Sequence, residues 1–351
     1  MIIPIFIMNS GCPHRCIFCN ESLTAGRRPA RITNDAFNDT IRSHLERPSR
    51  KKGTTQIAFY GGTFTGMEHS EQERLLKLAA PFLNAGKVDS IRISTRPDEI
   101  DVDNLDFLRL SGAATVEIGA QSFDDEVLLQ SRRGHTATDN IRAIQLLKER
   151  GFATGIHLMA GLPGDTPERF AATVAKTIAL RPDTVRIHPT IVLKNTALAK
   201  DFREGKYRPL SIQEAIEISK EALRKFAIAG IPVIRLGLQT TGELEEPGAI
   251  IAGPFHQAFR ALVEAAIFLE MAEGLLDVTD ERKKEIRFIV SPSDLSNIQG
   301  LRRENMATLK SRHGFKNIRL TVDPSLAKGT LVISEEGKKL RTNFSGRIDQ
   351  M

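Results

Sequence analysis

The chain is short of several things, and each shortage removes a class of protein. It has no tryptophan and two tyrosines among 351 residues, which leaves little for reading unpaired bases by aromatic stacking. Its three cysteines all fall between positions 12 and 19. A secreted disulfide scaffold would spread an even number along the chain. No apolar run is long enough to span a bilayer. The stretch Met1–Met8 is apolar, but it lacks a basic flank and is too short for a secretion signal. No internal repeat or low-complexity tract is present. The expectation is a soluble, cytoplasmic protein in a reducing compartment, with no membrane partner.

What is present is ordinary in bulk. Hydrophobic residues make up 41% and charged residues 26%, enough for a sizeable core. The net charge of +6 is a mild lean toward anionic partners.

The first two-thirds alternates strand-like and helix-like stretches. Short β-rich runs lie at Ile2–Met8, Gln56–Tyr60, Ser90–Thr95, Thr115–Ile118, Phe152–Met159 and Thr184–His188, each followed by helical periodicity. A seventh run is Pro232–Gly237. Capping boxes are expected at Ser70/Glu73 and Ser211/Glu214, and Thr166 precedes Pro167 as a cap. Successive βα units imply a parallel sheet with helices outside. The expected fold is α/β: a partial, open TIM-type βα barrel of about six units over residues 1–240. Residues 241–280 read as a loop and helix packed on the barrel. Residues 281–351 read as a small basic α+β tail, whose cations include Arg282, Lys283, Lys284, Arg287, Arg302 and Arg303. In such barrels the chemistry sits at the C-terminal ends of the strands.

The segment Gly11-Cys12-Pro13-His14-Arg15-Cys16-Ile17-Phe18-Cys19 directly follows the first strand, at that rim. Thiolates are the natural ligands of iron–sulfur clusters. Three of them hold three irons of a cubane and leave the fourth open to a ligand. Structural zinc is the rival; it wants four ligands, and His14 is the one nearby candidate for the fourth. The C-x3-C-x2-C spacing and the lack of a second cysteine pair favour the cluster.

This motif resembles that of the radical S-adenosylmethionine superfamily. The resemblance implies a [4Fe–4S] cluster on Cys12, Cys16 and Cys19, with S-adenosylmethionine chelated to the open iron. It also implies a one-electron reductant such as flavodoxin or ferredoxin. Phe18 lies within the motif, and the resemblance carries it over as a cofactor contact. Tyr60-Gly61-Gly62-Thr63 matches the superfamily's glycine motif for the methionyl ammonium. Gln121, in Glu117–Phe123, and Arg133, in Arg132-Arg133-Gly134-His135, match nucleoside and carboxylate contacts of the coproporphyrinogen-oxidase-like group. Two positions depart from that group: Ser94 stands where it has an acidic ribose contact, and His157 where it has aspartate.

The fullest resemblance is to the radical domain of the Elongator catalytic subunit family, over about Met1 to Phe268. It is carried by Ser94–Asp98, Arg133–His135, His157–Met159, His188–Thr196, Gly205–Pro209, Arg235–Gln239 and Ala252–His256. That family modifies wobble uridine in transfer RNA with a carbon unit from acetyl-CoA. The acetyl-CoA fingerprint is missing from the tail, so a relative without the acetyltransferase domain is expected. His256 is a candidate for the barrel mouth and Lys194 for an anionic ligand. Transfer RNA is the expected partner. The alternatives are a small-molecule or tetrapyrrole substrate, or a cluster-bearing haem chaperone without turnover.

Overall fold

The computed structural model describes residues 1–26, 31–47, 53–279, 285–335 and 338–350. Arg282, Lys283 and Lys284 of the expected basic stretch lie outside these residues. By its internal contacts the described chain divides into two units. One comprises Met1–Ser211 with Ile231–Phe255, and the other Ile212–Gly230 with His256–Met351.

The first unit is built on seven parallel strands hydrogen-bonded in chain order: Ile2–Phe6, Gln56–Tyr60, Ser90–Thr95, Ala113–Gln121, Ala153–Ala160, Thr184–Pro189 and Val233–Leu236. The first and last strands are its edges, so the sheet is an open half-barrel, as the βα alternation implies. One set of alternating side chains, including Ile57, Phe59, Ile91, Ile93, Val116, Ile118, Ile156, Val185 and Ile187, is buried. Burial of each such side chain contributes roughly 1.5–3 kcal/mol. The other set carries the polar residues Gln56, Arg92, Glu117, His157, Arg186 and Arg235, which line the opposite face.

Helices Asn34–Leu45, His69–Asn84, Val102–Leu110, Ala137–Glu149 and Pro167–Leu180 connect these strands. Thr166 caps the last of them by accepting from Arg169 N, with Pro167 at the first helical position. The expected capping box at Ser70 does not form. The helix starts two residues earlier, at His69 with Glu68 at its N-cap, and no side chain caps it. The expected loop 242–253 holds a short helix, Gly242–Glu245, and a strand, Ile250–Ala252, paired antiparallel with Val192–Leu193.

The second unit contains helices Ile212–Ile228 and Phe259–Leu276 and a five-stranded mixed sheet. Strands Glu285–Val290, Asn317–Val322 and Thr330–Glu335 are rich in β-branched residues. Lys338–Asn343 and Ile348–Gln350 carry too many polar residues to give that signal.

Candidate active site

The cysteine loop leaves the first strand and turns sharply, with Met8, Asn9 and Gly11 all at positive φ. It lies directly on the loop after the second strand. Thr63 N donates to Ser10 O at 2.9 Å and Asn9 N to Gly61 O at 2.6 Å. Asn9 N also reaches Glu21 Oε2. The two loops are too close for side chains between them. A Cβ on Gly11 would sit 2.1 Å from Thr63 O, and one on Gly62 would sit 2.7 Å from Ser10 O. Both glycines are thus required by close backbone approach.

Cys12 Sγ lies 3.3 Å from Thr63 Oγ1, Cys16 Sγ accepts from Arg133 Nη1 at 2.9 Å, and Cys19 Sγ is 4.0 Å from Asn9 Oδ1. Lost solvation and the nearby Glu21 carboxylate push the Cys19 thiol up to about 12, and Cys12 is raised by the same two causes. Each also feels Cys16, as thiols around one volume do. Metal binding removes such protons outright. Among the described residues no three His, Cys, Asp or Glu side chains converge on a single ion. A cubane does not ask for that, because each thiolate holds a different iron.

Arg133 is 5% exposed and bridges two elements. Its Nη1 reaches Cys16 and its Nη2 donates to Gly119 O at 2.6 Å, on the fourth strand. Its backbone is held in turn: Arg96 donates to Arg133 O and makes a bidentate pair with Asp98, at 3.0 and 2.7 Å. His135 lies 3.8 Å from that carboxylate and 3.4 Å from Ala120 O. The segments Ser94–Asp98 and Arg133–His135, singled out only as resemblance, are therefore one support for Arg133. Their joint role escapes sequence reading because they lie more than 30 residues apart.

Gln121 ends the fourth strand at φ 65 and is 6% exposed. Gly119 leaves room for it: a Cβ there would stand 3.0 Å from Gln121 Nε2 and 3.4 Å from Arg133 Nη2. His157 and His188 sit on neighbouring strands with ring centroids 4.3 Å apart, edge to face. Burial and the surrounding arginines hold the His157 pKa at about 3 and His188 well below its usual value, so both are neutral at pH 7. Deeper on the same face, Glu117 pairs with Arg92 at 2.6 Å and Arg186 at 2.9 Å. Arg186 donates to Tyr60 Oη at 2.8 Å and lies over its ring. This network was not anticipated. Its signal was there in the alternation Arg92/Ser94 and Arg186/His188, charged or polar side chains every second residue between apolar ones.

Phe18 packs with Ile17 and Val192 on one side and with Val127, Met159 and Leu162 on the other. It fixes the cysteine loop against the fifth strand. Ser94 is partly buried and occupies a register position beside Glu117. Lys194 ion-pairs with Glu246 at 3.3 Å, and His256 Nδ1 accepts from Ala258 N.

The residues fit the expected cofactors on one structural criterion. Gln121 Oε1, Arg133 Nε, His157 Nε2 and His188 Nε2 are all buried without a hydrogen-bond partner. Buried polar atoms normally have partners. Three of these atoms belong to consecutive strands and the fourth to Arg133, which reaches Cys16 of the three-thiol loop, an arrangement that suits a polar ligand.

A family model described as the radical SAM superfamily matches residues 6–177, and one described as the Radical_SAM C-terminal domain matches 182–268. A tRNA uridine(34) acetyltransferase of Methanocaldococcus jannaschii is 28% identical over 255 residues, covering 62% of this chain and 47% of that protein. An uncharacterised protein of the same organism is 30% identical over 230 residues, covering 62% of this chain and 69% of that one. The solved structure of the archaeal Methanocaldococcus infernus Elp3 with an N-terminal deletion shares the fold. It has a TM-score of 0.58 at 22% identity, over 97% of this chain and 77% of that one. The chain spans about half the length of the curated acetyltransferases it matches. With its two family segments together covering most of its length, the chain belongs to the radical SAM superfamily, whose members bind a [4Fe–4S] cluster and S-adenosylmethionine.

Proposed function

We propose that this chain is a radical S-adenosylmethionine enzyme that modifies RNA, with transfer RNA as its substrate class. Cys12, Cys16 and Cys19 would hold the cluster. Gly61, Gly62, Thr63, Gln121, Arg133 and His157 would line the S-adenosylmethionine site. When bound, the cluster and S-adenosylmethionine, given one electron from a flavodoxin- or ferredoxin-like donor, supply a 5′-deoxyadenosyl radical that abstracts a hydrogen atom.

The observation that carries the reading is Arg133: a buried guanidinium tied to a cluster cysteine, with Nε left without a partner. A planar fork of this kind matches a carboxylate. His157 and His188, held neutral, can donate or accept through Nε2 without adding charge beside the arginines. Tyr60 is held by Arg186, so its side chain shapes the floor while Gly61 and Gly62 bring backbone close. Phe18 and its apolar neighbours exclude water from one side of the loop. Transfer RNA is supported by the names of the relatives, three of which are tRNA uridine(34) acetyltransferases.

The test is 5′-deoxyadenosine formation by anaerobically reconstituted, reduced protein with and without total transfer RNA. Stimulation abolished by ribonuclease is the expected result, and Cys16→Ala should remove all cleavage. Cleavage indifferent to RNA would sink the substrate reading and redirect the search to small molecules or tetrapyrroles. Persistent cleavage by Cys16→Ala would sink the cluster assignment.

A further inference from the structure

The positive charge of this chain is not spread along it. Residues 1–281 hold 34 Lys and Arg against 36 Asp and Glu, while residues 282–351 hold 15 against 7. The whole surplus thus lies in the last fifth of the chain. Strand register gathers part of it on one surface. Strand Glu285–Val290 sets Arg287 opposite Arg319 on one neighbour and opposite Ser334 on the other. The next strand sets Lys339 opposite Ser334 and Arg341 opposite Val332.

Directly paired residues project from the same face of a sheet. Arg319, Arg287, Ser334 and Lys339 therefore form a row across four strands, about 14 Å wide at about 4.8 Å per strand. Arg341 stands in the row beside it. All four cations are exposed. The alternate residues Ile286, Phe288, Val290, Leu331 and Ile333 are buried on the other face.

Two acids lie beside the row: Asp349 is 3.7 Å from Arg341, and Asp323 is close enough to Lys339 to feel its charge. Arg287 and Arg319 stand directly opposite one another on neighbouring strands. An anionic ligand lying across the row would meet both guanidinium groups. Among the described residues the apolar side chains of this face are withdrawn from solvent: Val332 is 2% exposed and Ile289 is half-buried, which leaves little to insert into a bilayer. Ser334 and Thr321 add hydroxyls of the kind that bond phosphate and sugar oxygens.

We propose that this face of the five-stranded sheet binds the phosphate backbone of RNA and so docks the substrate. The docking role rests on the RNA reading above; the binding itself does not. The test uses the full chain and total transfer RNA in filter binding across a salt series. The variant is R287Q/R319Q/K339Q/R341Q. The control, R302Q/R303Q/K310Q/K316Q, removes the same charge from exposed positions elsewhere in this unit.

Losing four phosphate contacts should lower the slope of log K against log salt by about 3. Affinity should fall at least ten-fold in the variant and markedly less in the control. Equal losses in both would replace the face by diffuse attraction, and unchanged affinity would overturn it outright. Tighter binding of phosphatidylserine vesicles than of RNA, lost in the variant, would overturn it in favour of a membrane.

Deoxyadenosine formation separates this proposal from the substrate reading. Binding lost in the variant, with no RNA stimulation in the unaltered protein, keeps the face and discards the substrate. RNA stimulation that the variant retains at unchanged half-saturation keeps the substrate and discards the face.

Discussion

At the scale of single residues, Arg133 concentrates the most chemistry in the fewest atoms. It links Cys16 to Gly119, and its own carbonyl is held by Arg96, which Asp98 orients. Arg133→Ala should weaken S-adenosylmethionine binding by about 1.5–3 kcal/mol, the worth of a charge-assisted hydrogen bond. Arg133→Lys should recover little, because an ammonium cannot reproduce the fork. Equilibrium titration of the reconstituted protein measures both, and unchanged affinity in Arg133→Ala would reject the contact. The three cysteines were legible because thiolates at that spacing have few other uses. Arg133 was legible only through resemblance, since an arginine in a Arg-Arg-Gly turn is locally indistinguishable from a surface charge. Its partners Arg96, Asp98 and His135 were legible as segments but not as a network, because only folding brings strand ends together.

At the scale of elements, the site depends on two loops that touch backbone to backbone. Gly11 shows how much this contact demands. It has φ +72 and room for no Cβ, whereas Gly86 has φ +63 with open space around it. Gly86→Ala should therefore cost about 1 kcal/mol, the left-handed penalty alone. Gly11→Ala adds a backbone clash and should cost roughly 2–4 kcal/mol. It should also lower the iron held per chain after reconstitution. Urea midpoints and iron analysis check this pair, and equal midpoints would show that the loops do not need their close approach. The seven strands were readable in sequence because short apolar runs of strand length recur between stretches of helical periodicity. Helix starts were less so: Thr166 caps as its chemistry suggests, while Ser70 lies inside a helix that begins at His69. A capping box names residues able to cap, and packing decides where the helix begins.

At the scale of the whole molecule, the charges buried in the half-barrel set how its stability responds to pH. His157 titrates at about 3 in the folded chain against 6.5 as an ordinary imidazole, because burial and Arg186 disfavour its charged form. Between those values the unfolded chain binds the proton and the folded chain does not. Stability from this group is therefore complete above pH 6.5 and is lost as pH falls toward 3. Asp165 works in the opposite sense. Burial raises its pKa to about 6 from 3.8, so the folded chain holds the extra proton over that window and stability falls as pH rises through it. Each group shifts the slope by up to about 1.4 kcal/mol per pH unit. His157→Gln should flatten the acid side of the stability curve between pH 4 and 6. Asp165→Asn keeps an acceptor for Gly161 N and should steepen that same side. Denaturant unfolding of the three proteins at half-unit pH steps reads the slopes directly. Parallel curves for His157→Gln and the unaltered chain would mean that the folded imidazole takes up its proton as readily as the unfolded one. The neutral pair beside Arg186 and Arg235, and with it the uncharged donor or acceptor assigned to the ligand site, would then be wrong.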